Sequence, residues 1–339
     1  MALYSARNFS NHAFPYLTTY LEYPVGIGLI AGTVGLVSSN LAQFFWVNSL
    51  ILVVAAWLIF RLLQRLRPEP SRLAFFVFAP TLILYAFLNW DLLAILFMVA
   101  GLAAFQNRRD GFAGFWLGLG AATKLFPGFL VPGLLLVRYL QKKQLSWRLM
   151  AGAVAGFLLL NLPIYLINPA RWWYPWQFQG TRFPNFETSW FFIYHHFGSP
   201  LATSFWWTTY PRLTSYLSLT LFALALAVIL WREWRSRRPR PFVLAFVTLT
   251  TFLLTAKVFS PQYLLWLLPF FVLLPFPSWA IWGFFGIDLL SWAAIAHFLP
   301  VANTVAGNRP LILLELMVTL RYLWLVLLMY LTLQFKEPE

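Results

Sequence analysis

The chain has 339 residues, 61% of them hydrophobic and 10% charged, with no cysteine and a formal net charge of +14. A mean hydropathy of +0.72 excludes an ordinary soluble domain, and the missing thiols exclude disulfides, cysteine metal sites and thiol chemistry. The positive charge does not point to nucleic acid, because the Lys and Arg residues cluster in short loops between apolar runs, a distribution that orients membrane segments.

In chain order, residues 1–41 read as an outer loop. Its first 23 residues hold no apolar core of the signal-peptide kind. The stretch YPVGIGLIAGTVGLVSS (23–39) is apolar, short and Gly-rich, and reads as a helix lying in or dipping into the outer interface. Spans are then expected at about 42–62, 73–89, 91–106, 111–123, 126–140, 149–168, 212–231, 242–258, 261–276, 279–299 and 311–333. The segments are continuously apolar and lack the alternation of barrel strands, so the expected fold is all-α and polytopic, with about 11 transmembrane helices and one interfacial helix in a single domain over 1–339. No linker or repeat stands out.

The basic turns are 61–72, 107–110, 138–148 and 231–240, with Lys336 near the end; together they hold 16 of the 24 basic residues. They are expected in the cytoplasm. The parity of the spans then puts Glu22, Asn89, Asp91, Lys124, Lys257 and Gln262 on the opposite, extracytoplasmic level, together with a large loop at 169–210 that carries sixteen aromatics. The spans 111–123 and 126–140 are short and meet at a polar break around Lys124 and Pro127. The spans 242–258 and 261–276 meet at a similar break, Lys257-Val-Phe-Ser260-Pro261-Gln262. Broken helices inside a bundle commonly line a cavity.

Each polar residue also has a plainer reading. Asn89 and Asp91 suit a helix N-cap, or else a cavity where Asp91 binds hydroxyls or a proton. Lys124 suits snorkelling to headgroups, or else, with Lys257, a lipid phosphate. The aromatics of 169–210 suit an interfacial belt, a few of them a sugar platform. His195 and His196 have no third ligand in sight, so a metal is not expected. Asp288, Glu315 and Arg321 fall inside spans, where ionisable groups are functional suspects. Glu315 and Arg321 are six apart and face different ways, so each needs a partner on another element.

The stretches PYLTTYLEYPVG (15–26), NWDLLAIL (89–96), AGFWLGLGAATKLFPGFLVP (113–132) and KVFSPQYLLWLLP (257–269) resemble, in the same order, those of glycosyltransferase family 87. These are polyprenol-phosphate-mannose-dependent mannosyltransferases with the C-type fold of membrane glycosyltransferases. The resemblance implies transfer of a hexose, typically mannose, from a polyprenyl-phosphate sugar to a lipid or glycan acceptor outside the cell membrane, with inversion. It implies no cofactor beyond that donor; metal dependence stays open. The expected partners are the lipid-linked donor, the acceptor and membrane lipids, not nucleic acid.

The family places a span and a catalytic Asp ahead of the PY…EYP segment. Here no Asp occurs before Asp91, and Tyr4 matches a Tyr a few residues beyond the family Asp. The expectation is therefore a truncated chain whose base lies upstream of Met1, leaving Glu22 and Asp91 as weaker catalytic candidates. Lys124, Lys257 and then Arg182 are expected at the donor phosphate, and Asp91, Gln262 and Tyr263 at sugar hydroxyls; Asn89, Glu187 and His195 complete the substrate-binding set. The rival classes are a transporter or flippase of polyprenyl-linked sugar and a non-catalytic membrane subunit.

Overall fold

The structure, a computed structural model, describes residues 13–66, 68–198, 203–299 and 308–335. Tyr4, Lys336 and parts of the 1–41, 61–72 and 169–210 segments lie outside the described residues. Among the described residues the chain is helical, with one isolated bridge between Pro15 and Thr19 and no strand.

Five helices are long and apolar enough to cross a membrane: Leu41–Arg65, Trp147–Ile167, Tyr210–Ser236, Ser278–Phe298 and Leu311–Gln334. Each falls on an expected span. The other six expected spans are shorter or broken. Asp91–Gln106 has 16 residues, Asp110–Thr123 has 14 and Pro241–Thr255 has 15. At about 1.5 Å per residue these reach only ~21–24 Å, against a hydrocarbon layer of ~30 Å. The remaining three are divided near proline, whose ring disfavours helix in the residue before it. The 73–89 segment stops at Phe78 and restarts at Pro80. The 126–140 segment begins as a 3-10 turn, Phe126–Leu130, before Val131–Lys142. The 261–276 segment begins as a 3-10 turn, Pro261–Leu267, before Leu268–Leu273. The non-spanning expectation for 23–39 agrees with the length of Val25–Val37, 13 residues or ~20 Å. This helix is packed rather than draped over a surface, with Val25, Ile27, Ala31 and Val34 all buried.

The helices gather into two compact units, a division the sequence does not announce. One comprises the residues up to Pro68 with Ala86–Gln179, the other Glu69–Tyr85 with those from Gly180 onward. In the first unit, Asp110–Thr123 and Trp147–Ile167 meet through two facing small-residue repeats, Gly114/Gly118 and Gly152/Gly156. A Cβ at Gly114 or Gly118 would sit 2.0 Å from the carbonyl oxygen of Leu149 or Ala153, and one at Gly152 or Gly156 would sit 2.2 or 2.1 Å from those of Gly111 or Phe115. Backbones this close gain van der Waals contact without a hydrophobic drive, the means by which helices associate in lipid. Leu41–Arg65 in the same unit starts on a reciprocal cap: Asn40 accepts from Gln43 N at 2.9 Å, and Gln43 Oε1 accepts from Ser39 N at 2.8 Å.

The second unit is built on Pro241–Thr255, buried almost all round, and on a phenylalanine core that includes Phe271 against Phe284 at 4.9 Å between ring centroids. Three of the four basic turns are locked by an inward Arg. Arg138 is held by Asp110 at 2.7 Å, which also accepts from Ser146 at 2.7 Å. Arg240 is held by Glu233 at 2.8 and 2.7 Å. Arg72 donates to the carbonyls of Phe271, Leu274 and Phe276 at a helix end.

Gly118→Leu should drive the two small-residue repeats apart. Overpacking of this kind costs about 1–3 kcal/mol or more, so the yield of monodisperse protein in detergent should fall and the remainder should unfold at lower temperature. Gly180→Ala, where an added Cβ meets nothing within 4 Å, should leave both unchanged.

Candidate functional site

In the first unit the polar cluster is assembled by the 13–24 segment. Tyr16 takes a left-handed conformation, φ 66°, uncommon and strained for a bulky residue. Its buried hydroxyl donates to the carbonyls of Tyr23 at 2.7 Å and Pro24 at 3.0 Å, just where Val25–Val37 begins. The hydroxyl and ring fill the space that a side chain at Gly28 would need, 2.2 and 2.3 Å from a Cβ there. Tyr23 is thereby set against the NWD turn: its hydroxyl accepts from Asn89 Nδ2 at 3.3 Å, and its ring meets that of Trp90 edge-on at 5.9 Å. Asn89 accepts from Trp90 N at 2.8 Å, and Trp90 Nε1 donates to Asn48 at 2.7 Å. Glu22, the residue before Tyr23, is half-buried.

Asp91 is not the N-cap that one reading expected. It is the first residue of Asp91–Gln106 and is 0% exposed. Both of its oxygens accept from Lys124 Nζ at 2.7 Å. Lys124 lies at the end of Asp110–Thr123 in extended conformation. A carboxylate at a helix start and an ammonium at a helix end each suit the local dipole. The snorkelling reading is therefore replaced: the ammonium turns inward, and only 12% of the side chain is exposed.

In the second unit the break at Lys257 holds a different arrangement. Lys257 is buried, and its ammonium donates to the carbonyls of Gly180 at 3.2 Å, Arg182 at 2.6 Å and Pro211 at 2.8 Å. An ammonium has three donors, and all three are engaged here. The expectation of a cation held ready for a phosphate is corrected accordingly: Lys257 clamps backbone. Its own carbonyl accepts from Asn185 N at 3.0 Å, and Trp190 Nε1 reaches Thr255 O at 3.0 Å. Pro261 opens a 3-10 turn of seven residues as a first-position proline should. Gln262 and Tyr263 follow, both half-buried, the Tyr263 ring stacked on Trp266 at 4.3 Å. Arg182 is half-buried near Lys257.

The 169–210 segment is largely helical, with Pro169–Thr181, Ser189–Ile193, a π-turn Tyr194–Gly198 and Ser204–Thr208. Glu187 within it is 1% exposed and pairs with Arg321, 2% exposed, at 2.8 Å; Arg321 also stacks over Phe259 at 4.3 Å. Burial pushes the Glu187 carboxyl up, to about 7, against the pull of Arg321. A pair this enclosed joins elements of the protein and is poorly placed for substrate. Asp288 accepts from Thr81 at 2.5 Å and Tyr85 at 2.9 Å. His195 stacks on Phe191, and burial and then His196 lower its pKa. His196 meets Glu315 at 3.0 Å, so Glu315 and Arg321 do go to separate partners. Among the described residues no group of three or more His, Asp or Glu side chains is placed to hold a metal ion. Sequence reasoning missed Tyr16, Asn48, Thr81 and Tyr85; the positions of Tyr16 and Gly28 in the PY…EYPVGIG segment were the only available signal.

Spanning-length apolar helices, and polar turns that bring the EYP, NWD and ATK stretches together within one unit, define a transmembrane protein with a carboxylate–ammonium centre. The family model of glycosyltransferase family 87 matches residues 20–261, and the chain belongs to that family. It is therefore a membrane glycosyltransferase. The match runs from just before Glu22 to Pro261. Comparison with curated proteins found no match.

Two outcomes follow from the second unit. Lys257→Met should remove the donor shared by three carbonyls. Those of Gly180 and Pro211 also accept from Ser215 Oγ, at 2.7 and 3.0 Å, so the loss falls chiefly on Arg182, at about 1–3 kcal/mol for a buried group left unsatisfied; the unfolding temperature should drop and the 180–212 segment should become protease-sensitive. Glu187→Met alone should cost about 3–5 kcal/mol by leaving Arg321 an uncompensated buried charge, whereas Glu187→Met with Arg321→Met should recover most of that loss. Thermal unfolding of the three proteins in one detergent checks both.

Proposed function

We propose that the chain transfers a hexose, mannose first among candidates, from a polyprenyl-phosphate donor to a lipid or glycan acceptor on the extracytoplasmic side of the cell membrane. The reading rests on family membership and on one observation, the Asp91–Lys124 centre beneath the Tyr23–Asn89–Trp90 turn. In the reaction the bond between the anomeric carbon and the phosphate oxygen breaks. The acceptor oxygen bonds that carbon from the opposite face, and its proton passes to a carboxylate, for which half-buried Glu22 is the candidate on this chain. Lys124, fixed by Asp91 with part of its side chain exposed, contacts the phosphate oxygens as charge develops on them. Asp91 is then a positioning residue. Glu22 is more exposed than Asp91 and also orders the loop around the acceptor. Arg182, Gln262 and Tyr263 remain candidates for substrate contact; Lys257, Glu187 and Arg321 serve the scaffold.

The test is sugar transfer by the purified full chain in proteoliposomes, given radiolabelled polyprenyl-phosphate mannose or a mannose nucleotide, with a membrane lipid extract and short oligosaccharides as acceptors. Transfer from the lipid-linked donor alone is expected. Lys124→Met should lower kcat/KM about ten- to a hundredfold, as loss of one charge-assisted contact worth roughly 1.5–3 kcal/mol implies. Use of the nucleotide sugar alone, or movement of the lipid-linked sugar across vesicles without transfer, would overturn the reading. Sidedness is read separately. In this cysteine-free chain, Glu22→Cys should label from outside and Arg108→Cys only from the cytoplasm.

A further inference from the structure

The second unit carries a groove whose lining residues are remote in sequence from Asp91 and Lys124. It runs between Tyr210–Ser236, Pro241–Thr255 and the last helix. Its floor is Val243, Leu244 and Val247, all buried, and its walls are Val228 and Ile229 on one side and Met329 and Leu333 on the other. About 540 Å³ of space lies within it, counting its open mouth, and the walls are almost wholly apolar. One end is closed by Arg232 and Glu233.

That end is strongly basic. Glu233 is the only acid in 231–240, and Arg240 neutralises it at 2.8 and 2.7 Å. Arg232, Arg235, Arg237 and Arg238 are all exposed. Trp231 and Trp234 are 60% and 42% exposed in the same turn, with Arg235 and Arg237 over their rings. Exposed tryptophans beside a basic run mark the level of the lipid headgroups, and the groove descends from that level along apolar helices. A partner helix would need small residues to bring the backbones close. These walls are branched or long side chains instead, and they leave a channel.

We propose that this groove holds one acyl chain of an anionic phospholipid, with the headgroup phosphate against Arg232 and the basic turn around it. The apolar walls shelter the chain from competing bilayer lipids only weakly, so selectivity comes from the headgroup. Four exposed guanidiniums with the local carboxylate already paired favour an anion over a zwitterion, at about 1 kcal/mol for each basic residue near the headgroups. This inference is independent of the sugar donor and of the transfer reaction.

The experiment uses the purified full chain in mild detergent doped with dioleoylphosphatidylglycerol or dioleoylphosphatidylcholine. Retained lipid is counted by native mass spectrometry and the unfolding temperature is recorded. One phosphatidylglycerol is expected to be retained, with a rise of several degrees in Tm that phosphatidylcholine does not reproduce. Arg232→Gln should weaken retention about fivefold. Val228→Trp, at a wall position 62% exposed where a larger side chain meets no core, should block retention while leaving the lipid-free Tm unchanged. Equal retention of both lipids would overturn the proposal. So would wild-type retention by Val228→Trp, which would mean that the lipid rests on the basic surface alone.

Discussion

A helix that stops inside an apolar bundle leaves its last carbonyls without water to take them, and each must find a donor within the protein. That constraint shapes both units. Pro241–Thr255 ends at Thr255, and the chain does not resume a helical turn until Pro261. Lys257 sits in this gap but turns its ammonium to other segments, the carbonyls of Gly180 and Arg182 at the end of Pro169–Thr181 and that of Pro211 in the first turn of Tyr210–Ser236, while Asn185 gives a backbone N–H to the carbonyl of Lys257. Asp110–Thr123 ends at Lys124, whose backbone N–H closes the last turn on Gly120 at 2.7 Å. The basic turns answer the same need, with Arg72 on three carbonyls at the end of Leu268–Leu273. Long cationic side chains are the natural capping groups here, because one side chain supplies several donors and its charge suits a helix C-terminus.

The buried ion pairs follow the same logic. Asp91–Lys124, Asp110–Arg138, Glu233–Arg240 and Glu187–Arg321 each have a nearly inaccessible carboxylate, 0%, 9%, 3% and 1% exposed at the side chain. Such pairs add little net stability over well-packed apolar residues, since desolvation offsets attraction. What they supply is penalty for the wrong arrangement. A helix displaced so that Arg321 missed Glu187 would hold two isolated charges, which hydrocarbon resists far more than it resists a shifted leucine. In a bundle where nearly every surface is apolar, misplaced packing is otherwise weakly penalised.

Much of this was legible in the sequence, and the limits have physical causes. The five long helices fall where hydropathy put them, because a continuous apolar run has few alternatives in a membrane. The breaks at Lys124 and Pro261 were legible because proline and charge interrupt helices by local chemistry. Partners were not legible. Lys257 reads as an available cation in sequence, since nothing local reveals that the carbonyls of Gly180, Arg182 and Pro211 converge on it. Glu187 and Arg321 are 134 residues apart, and each could have paired elsewhere. The facing glycine repeats carry a spacing signal, but spacing alone does not say which helix lies opposite. The six short or broken elements read as spans because an apolar window measures composition, whereas length depends on where the helix stops, at proline in three of them and at a polar turn or extended residue in the others.

The pairing of Lys124 with Asp91 bears on how a lipid-phosphate donor would be handled. Such a donor is a phosphodiester with one negative charge. The polyprenyl phosphate left after transfer is a monoester that can carry close to two. A lone ammonium in a dry pocket would therefore favour the product over the donor, and the attraction grows as the dielectric falls. Asp91 tempers it. The carboxylate at 2.7 Å cancels much of the field of Lys124 at long range, so a phosphate oxygen would feel the ammonium mainly at contact distance. A contact of that kind acts on the oxygen where charge develops, and holds the departed phosphate less strongly than a bare cation would. Interactions stronger in the transition state than with bound ligand are the ones that accelerate a reaction. A neutralised ammonium at the end of a helix is better suited to that difference than the free cation that the sequence alone suggested.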